Sequence, residues 1–151
     1  ELDYVAGDVQ DQPSGTFDVA TSVEVLEHIP PPYLDEFVAG IARSLKPNGH
    51  LVATVPHINQ PVGSKHFQHF SVKTITDVLN PYFDVIETVP LDPSSKILFL
   101  ADKLLGGTGN TFILSNEKLN SAFIRLYLRK YLFTDSESNC KRLGLIAKRK
   151  P

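Results

Sequence analysis

Phe17-Asp18-Val19-Ala20-Thr21-Ser22-Val23-Glu24-Val25-Leu26-Glu27-His28-Ile29-Pro30 is the stretch whose reading decides the fold. Its first seven residues are rich in β-branched side chains and follow loop chemistry, which predicts a strand over 17–23. Pro30-Pro31-Pro32 cannot lie inside a helix and sets up the next element. From Tyr33 to Leu45, apolar residues recur at Leu34, Phe37, Val38, Ile41 and Leu45, opposite Asp35, Glu36 and Arg43. That spacing predicts a helix. Lys46-Pro47-Asn48-Gly49 stops it and turns the chain, and residues 50–55 then read as a buried strand closed by Pro56. Strand, helix, turn and strand make a βαβ unit, so strands 17–23 and 50–55 should run parallel.

Working outward, residues 2–9 form a short strand candidate. Ser71 is placed to cap a helix through Ile75, Val78 and Leu79, ended by Asn80-Pro81. Residues 83–89 and 143–148 complete the strand candidates. Between 90 and 142 the pattern changes: residues 97–105 and 118–133 read as apolar-rich helices joined by Gly106-Gly107-Thr108-Gly109-Asn110. Such a length is unusual for a plain connection, so this segment is expected to be a helical insertion that caps the substrate side. The glycine cluster follows a helix-like segment and lacks phosphate-loop spacing, so it reads as a turn.

A length of 151 residues suits one domain, and 42% hydrophobic and 21% charged residues are ordinary for a soluble globular protein. No apolar run is long enough for a membrane-spanning helix. The lone Cys140 excludes an internal disulfide and fits a reducing compartment, so a cytoplasmic location is expected. Residues 1–42 hold nine acids and no Lys or Arg; residues 43–151 hold eight acids and all fifteen Lys and Arg. An acidic half and a basic half suggest different partners for each. The chain has no methionine and opens on a strand-like run, which suggests part of a longer polypeptide.

Two clusters carry potential chemistry. Glu24, Glu27 and His28 follow the strand 17–23, and ligands bind beyond the carboxyl ends of strands in open α/β sheets. If that segment is helical, the three share one face and supply a general base or a divalent-metal site. The alternative is a solvated loop with His28 as an anchor. His66-Phe67-Gln68-His69-Phe70 follows the strand 50–55 at the same sheet end, where imidazoles serve as bases or metal ligands, or simply rim the pocket. His57 is a further candidate, and His50 reads as structural. On the helix 118–133, Lys118, Arg125 and Arg129 form a basic stripe. Such a stripe suits a peripheral membrane contact through 97–133, a nucleic-acid contact, or merely a solvated helix edge.

The series from Gly7-Asp8-Val9 through 17–30 and Leu45-Lys46-Pro47-Asn48-Gly49-His50-Leu51-Val52, continued by His66 to Ser71, resembles class I S-adenosylmethionine-dependent methyltransferases. Within them it resembles the quinone-biosynthesis methyltransferase-like group. The resemblance covers roughly the first ninety residues. It implies a Rossmann-like sheet of which strands three to seven lie in this chain. The first two strands, with their glycine-rich cofactor turn, are missing. It assigns Asp8, Val9, Ser22, Val23 and Glu24 to the cofactor, and His28, His66 and Glu24 to catalysis. Glu24, Glu27, His28 and His66 match a pattern that binds metal in some relatives, although no metal is expected here. The function implied is O- or N-methylation of a small molecule, glycan or lipid-linked acceptor, with weak cofactor binding by this chain alone. The rival readings are a noncatalytic methyltransferase-like interaction module and an RNA methyltransferase, with nucleic acid not the favoured partner.

Overall fold

The computed structural model describes residues 4–93, 95, 100 and 117–151. Four strands form one sheet among the described residues: β1 (Phe17–Val23), β2 (Leu45–Pro56), β3 (Phe83–Leu91) and β4 (Arg142–Arg149). Their spatial order is β1-β2-β4-β3. β1 and β2 are parallel, as the βαβ reading requires, with Ala20 opposite Leu51 and Ser22 opposite Ala53. β4 runs antiparallel to both neighbours and inserts between β2 and β3. The carboxyl ends of β1, β2 and β3 therefore share one edge of the sheet with the start of β4.

The crossover helix α1 (Pro31–Ser44) starts two residues earlier than the apolar spacing suggests. Pro31 and Pro32 occupy its first turn, where a missing N–H costs nothing. β2 also starts early, because Lys46 to Gly49 loop out of register between the pairs Phe17–Leu45 and Val19–His50. The turn expected at 46–49 is thus a bulge inside the strand. A Cβ at Gly49 would lie 2.9 Å from the Lys46 carbonyl oxygen, so this bulge excludes side chains there. Helix α2 (Val72–Leu79) begins at Ser71, whose hydroxyl accepts from the Thr74 N–H while the Thr74 hydroxyl accepts from the Ser71 N–H. The Thr partner makes this a capping box.

Leu34, Val38 and Ile41 of α1 and Ile75 and Leu79 of α2 pack on one sheet face. That face is built from Leu51, Ala53, Val55, Leu143, Leu145 and Ala147. Phe70 and Phe83 fill the corners of the same core, and Cys140 is buried in it as a small apolar residue. Helix α3 (Glu117–Lys130) covers most of the helix expected over 118–133, and buries Phe123 and Tyr127 in a separate small cluster. The glycine-rich stretch 106–110 and most of the helix expected over 97–105 lie outside the described residues.

One expected strand is not formed. Residues 4–8 are exposed and form no regular element, with a bend at Gly7, and Val9–Asp11 is a single 3-10 turn that packs on α1. Arg43 holds this segment there by donating to the Gln10 carbonyl at 2.9 Å. Gly40 admits the contact, since a Cβ there would lie 3.1 Å from Val9 Cγ1. An extended segment becomes a strand only by pairing, and no described strand offers residues 4–8 a ladder. No helix among the described residues is long and apolar enough to cross a membrane.

Candidate functional site

At the carboxyl end of β1 the chain does not continue as an α-helix. Glu24 takes a left-handed conformation with φ 52°, and a 3-10 turn, Leu26–His28, follows. This backbone reversal separates side chains that helical spacing would have grouped. Glu24 faces Thr54, whose hydroxyl donates to Glu24 Oε1 at 2.9 Å, and Arg142, whose Nε lies 3.8 Å from Oε2. Arg142 is shared with Asp92 at 3.2 Å. Burial pushes the Asp92 carboxyl up, opposed mainly by Arg142. Glu24 thus belongs to a charged network along the strand ends and not to the histidine cluster; the expected quartet of Glu24, Glu27, His28 and His66 is a trio.

Glu27, His28 and His66 do converge. Each offers one donor atom, and these atoms lie within 4.8 Å of one another. Two segments are stitched together to achieve this. The Phe67 N–H donates to the Glu27 carbonyl at 2.9 Å, and Gln68 Nε2 donates to the Ile29 carbonyl at 3.4 Å. The 57–70 loop is closed at its base by Ile58 N–H to Phe70 carbonyl and Phe70 N–H to Pro56 carbonyl. Glu27 is fully buried (0% exposed), and neither carboxylate oxygen has a hydrogen-bond partner. Burial pushes its carboxyl above the ordinary value, with Glu24 adding to the shift; its own backbone, His28 and His66 oppose it. His28 Nε2 stands 3.7 Å from Glu27 Oε1, beyond hydrogen-bond reach.

The ring partners fix which imidazole nitrogens are bare. His28 Nδ1 lies 2.8 Å from the Lys65 carbonyl oxygen, which can only accept, so Nδ1 carries the proton. That leaves a lone pair on Nε2 of the neutral ring, facing Glu27. His66 packs edge-on to His28 with ring centroids 4.7 Å apart. The arrangement presents the lone pair of a partly exposed imidazole next to a buried carboxylate, suited to taking a proton or binding a cation.

The residues expected to hold a cofactor divide differently. Val9 and Ser22 line a concavity of about 170 Å³ between the 3-10 turn, β1 and α1, together with Val25, Phe37 and Ile41. The Ser22 hydroxyl is buried there without a partner. Asp8 is exposed and caps the 3-10 turn by accepting from the Gln10 N–H at 3.2 Å. Val23 is exposed and Glu24 is turned toward Arg142, so neither lines that concavity.

His57 is structural. Its ring is buried, donates from Nε2 to Glu137 Oε1 at 3.0 Å and accepts the Asn59 N–H at Nδ1. Glu137 also accepts the Val72 N–H at 2.8 Å, and this bond, then His57, holds its carboxyl below the ordinary value. The Lys65 and Gln60 carbonyls, ring partners of His28 and His69, are not legible in a pattern of side chains, nor is the contact of His69 with His66. The i, i+3 spacing of His66 and His69 was the one available signal.

Residues 1–53 match the family described as a methyltransferase domain. No curated protein sequence matches the chain. Among solved structures, the chain is similar to a SAM-dependent methyltransferase from Archaeoglobus fulgidus, with TM-score 0.57 and 17% identity over 93% of this chain and 62% of that one. It is similar to 1,6-didemethyltoxoflavin-N1-methyltransferase from Burkholderia thailandensis, with TM-score 0.60 and 14% identity over 97% of this chain and 50% of that one. The cyclase SpnF shares the fold at TM-score 0.55 and 17% identity, over 99% of this chain and 57% of that one. The chain therefore has the Rossmann-like fold of class I methyltransferases, and spans about half to three-fifths of the length of these structures.

Proposed function

We propose that residues 1–151 are the acceptor-side part of an S-adenosylmethionine-dependent methyltransferase acting on an oxygen or nitrogen atom. The acceptor class is a small molecule, glycan or lipid-linked intermediate. The observation that supports this most is the convergence of Glu27, His28 and His66 beyond the carboxyl ends of β1 and β2, the ligand edge of open α/β sheets. Bound S-adenosylmethionine supplies an electrophilic methyl group on a sulfonium. The chain's own residues do the rest from the acceptor side: they position the nucleophile and take its proton. Nε2 of His28 or His66 is the accepting atom, and the Glu27 carboxylate stabilises the imidazolium that forms.

Ser22 and the concavity beside it fit one portion of the cofactor, with the buried hydroxyl as a free hydrogen-bond partner. At about 170 Å³ the concavity is smaller than the ~300–1,000 Å³ of ordinary ligand pockets. In this reading the remainder of the cofactor is held by polypeptide outside residues 1–151, and the chain alone binds it weakly. Glu27, His28 and His66 are also the residues that would hold a divalent cation, given their mixed carboxylate and imidazole donors. Proton removal by the imidazoles in this proposal is metal-free.

A methyl-transfer assay on the polypeptide lengthened at its amino end tests this, using low-mass hydroxyl and amine acceptors. His28→Ala/His66→Ala should lower kcat by about 10²–10⁴-fold, the usual worth of a positioned base. Turnover that survives the double substitution rules these histidines out. Turnover abolished by chelation and restored by a divalent cation replaces the metal-free reading with metal-assisted deprotonation.

A further inference from the structure

His66 is oriented by a second histidine three residues on. His66 Nδ1 lies 2.8 Å from His69 Nε2, and His69 Nδ1 lies 3.0 Å from the Gln60 carbonyl oxygen. A carbonyl oxygen only accepts, so the neutral His69 ring carries its proton on Nδ1 and offers a lone pair at Nε2. The His66 ring must then donate from Nδ1. Its own Nε2 is left bare. The direction of both bonds is thus set from one end by a backbone carbonyl. That carbonyl is fixed in turn: the Gln60 N–H donates to the His57 carbonyl at 3.0 Å, and buried His57 is pinned by Glu137.

From this geometry we propose that His69 is a positioning residue, locking His66 in the Nδ1–H tautomer so that its Nε2 lone pair is presented to the acceptor. A free neutral imidazole places its proton mostly on Nε2, where no lone pair remains to accept one. The tautomer is decided by whatever the other ring nitrogen bonds to. His28 obtains the same tautomer from the Lys65 carbonyl alone, at 2.8 Å. Two independent anchors therefore leave both Nε2 atoms bare, on the two imidazoles that converge with Glu27. The inference rests on the reading of His66 as a base, but the lock itself is a property of the chain without any ligand.

The test is a long-range ¹H–¹⁵N correlation spectrum of the histidine rings in the whole chain, with no cofactor or acceptor present. It is recorded at alkaline pH, and the tautomer is read from the neutral form of each ring. In the unaltered chain His66 Nδ1 should resonate in the protonated, pyrrole-like range and Nε2 in the bare, pyridine-like range. His69→Phe should move His66 toward the Nε2–H pattern, while His28, held by the Lys65 carbonyl, stays put as a folding control. His69→Gln, which restores an acceptor near the same position, should return most of the original pattern. An Nε2–H pattern for His66 in the unaltered chain overturns the proposal. So does an unchanged His66 in His69→Phe with His28 still ordered. Because no methyl acceptor enters the measurement, a failed methyl-transfer assay leaves this result standing, and the reverse holds equally.

Discussion

Both carboxylate oxygens of Glu27 are buried without a hydrogen-bond partner, which is an unfavourable way to leave a carboxylate. Burial raises its folded-state value above the ordinary 4.5. Below 4.5 both folded and unfolded chains hold the proton and the group costs nothing extra. As pH rises past 4.5 the unfolded chain releases it first, so stability falls until the folded carboxyl also ionises, and is level thereafter. Glu27→Gln removes the titration, so it should flatten this acid-side slope in denaturant titrations and leave the chain more stable at neutral pH than the unaltered one. An unchanged slope would mean that Glu27 is solvated. Stability given up at a buried acid is a common accompaniment of function. At this scale the sequence disclosed His28, Glu27 and His66 through their position after two strands. Glu24 instead faces Thr54 and Arg142, because the chain turns at its left-handed φ, and such a φ at a non-glycine residue leaves no mark in the pattern. Nor does a pattern of side chains reveal backbone acceptors such as the Lys65 and Gln60 carbonyls.

Elements were legible wherever a local signal agreed with packing. β1 falls at 17–23 as the β-branched run indicates, and Ser71 caps α2 through hydrogen bonds at both ends of the box. Ser71→Ala should cost about 1 kcal/mol, seen as a lower denaturation midpoint with an unchanged slope; no shift would show that the cap is redundant. The position of β4 between β2 and β3 is invisible locally, because strand order is decided by pairing across the whole sheet. The strand expected at 2–9 failed for the same reason: its residues have strand composition and no described partner. A further consequence lies on the sheet face away from α1 and α2. Val52 and Ile146 are cross-strand neighbours there, 41% and 36% exposed, and Val19 and Ile86 are exposed as well. Apolar sheet surface of this kind promotes association. Sedimentation velocity should show concentration-dependent self-association of this chain, reduced by Val52→Thr/Ile146→Thr, which keeps strand propensity. A chain that stays monomeric throughout would show that this face is covered.

For the whole molecule, the fold is that of class I methyltransferases, and the chain spans 62% and 50% of two such structures. The cyclase SpnF, similar over 57% of its length, shows that the fold by itself does not fix the reaction. Methyl transfer is supported by the site: Glu27, His28 and His66 converge beyond the carboxyl ends of β1 and β2, and the buried Ser22 hydroxyl lies beside Val9. Isothermal titration of S-adenosylmethionine is the most direct test, run on this chain and on the polypeptide lengthened at its amino end by about one βαβ unit. Binding to the chain alone should be weak or absent, and binding to the lengthened protein saturable and weakened by Ser22→Val. Absence of binding to both would contradict the methyltransferase reading.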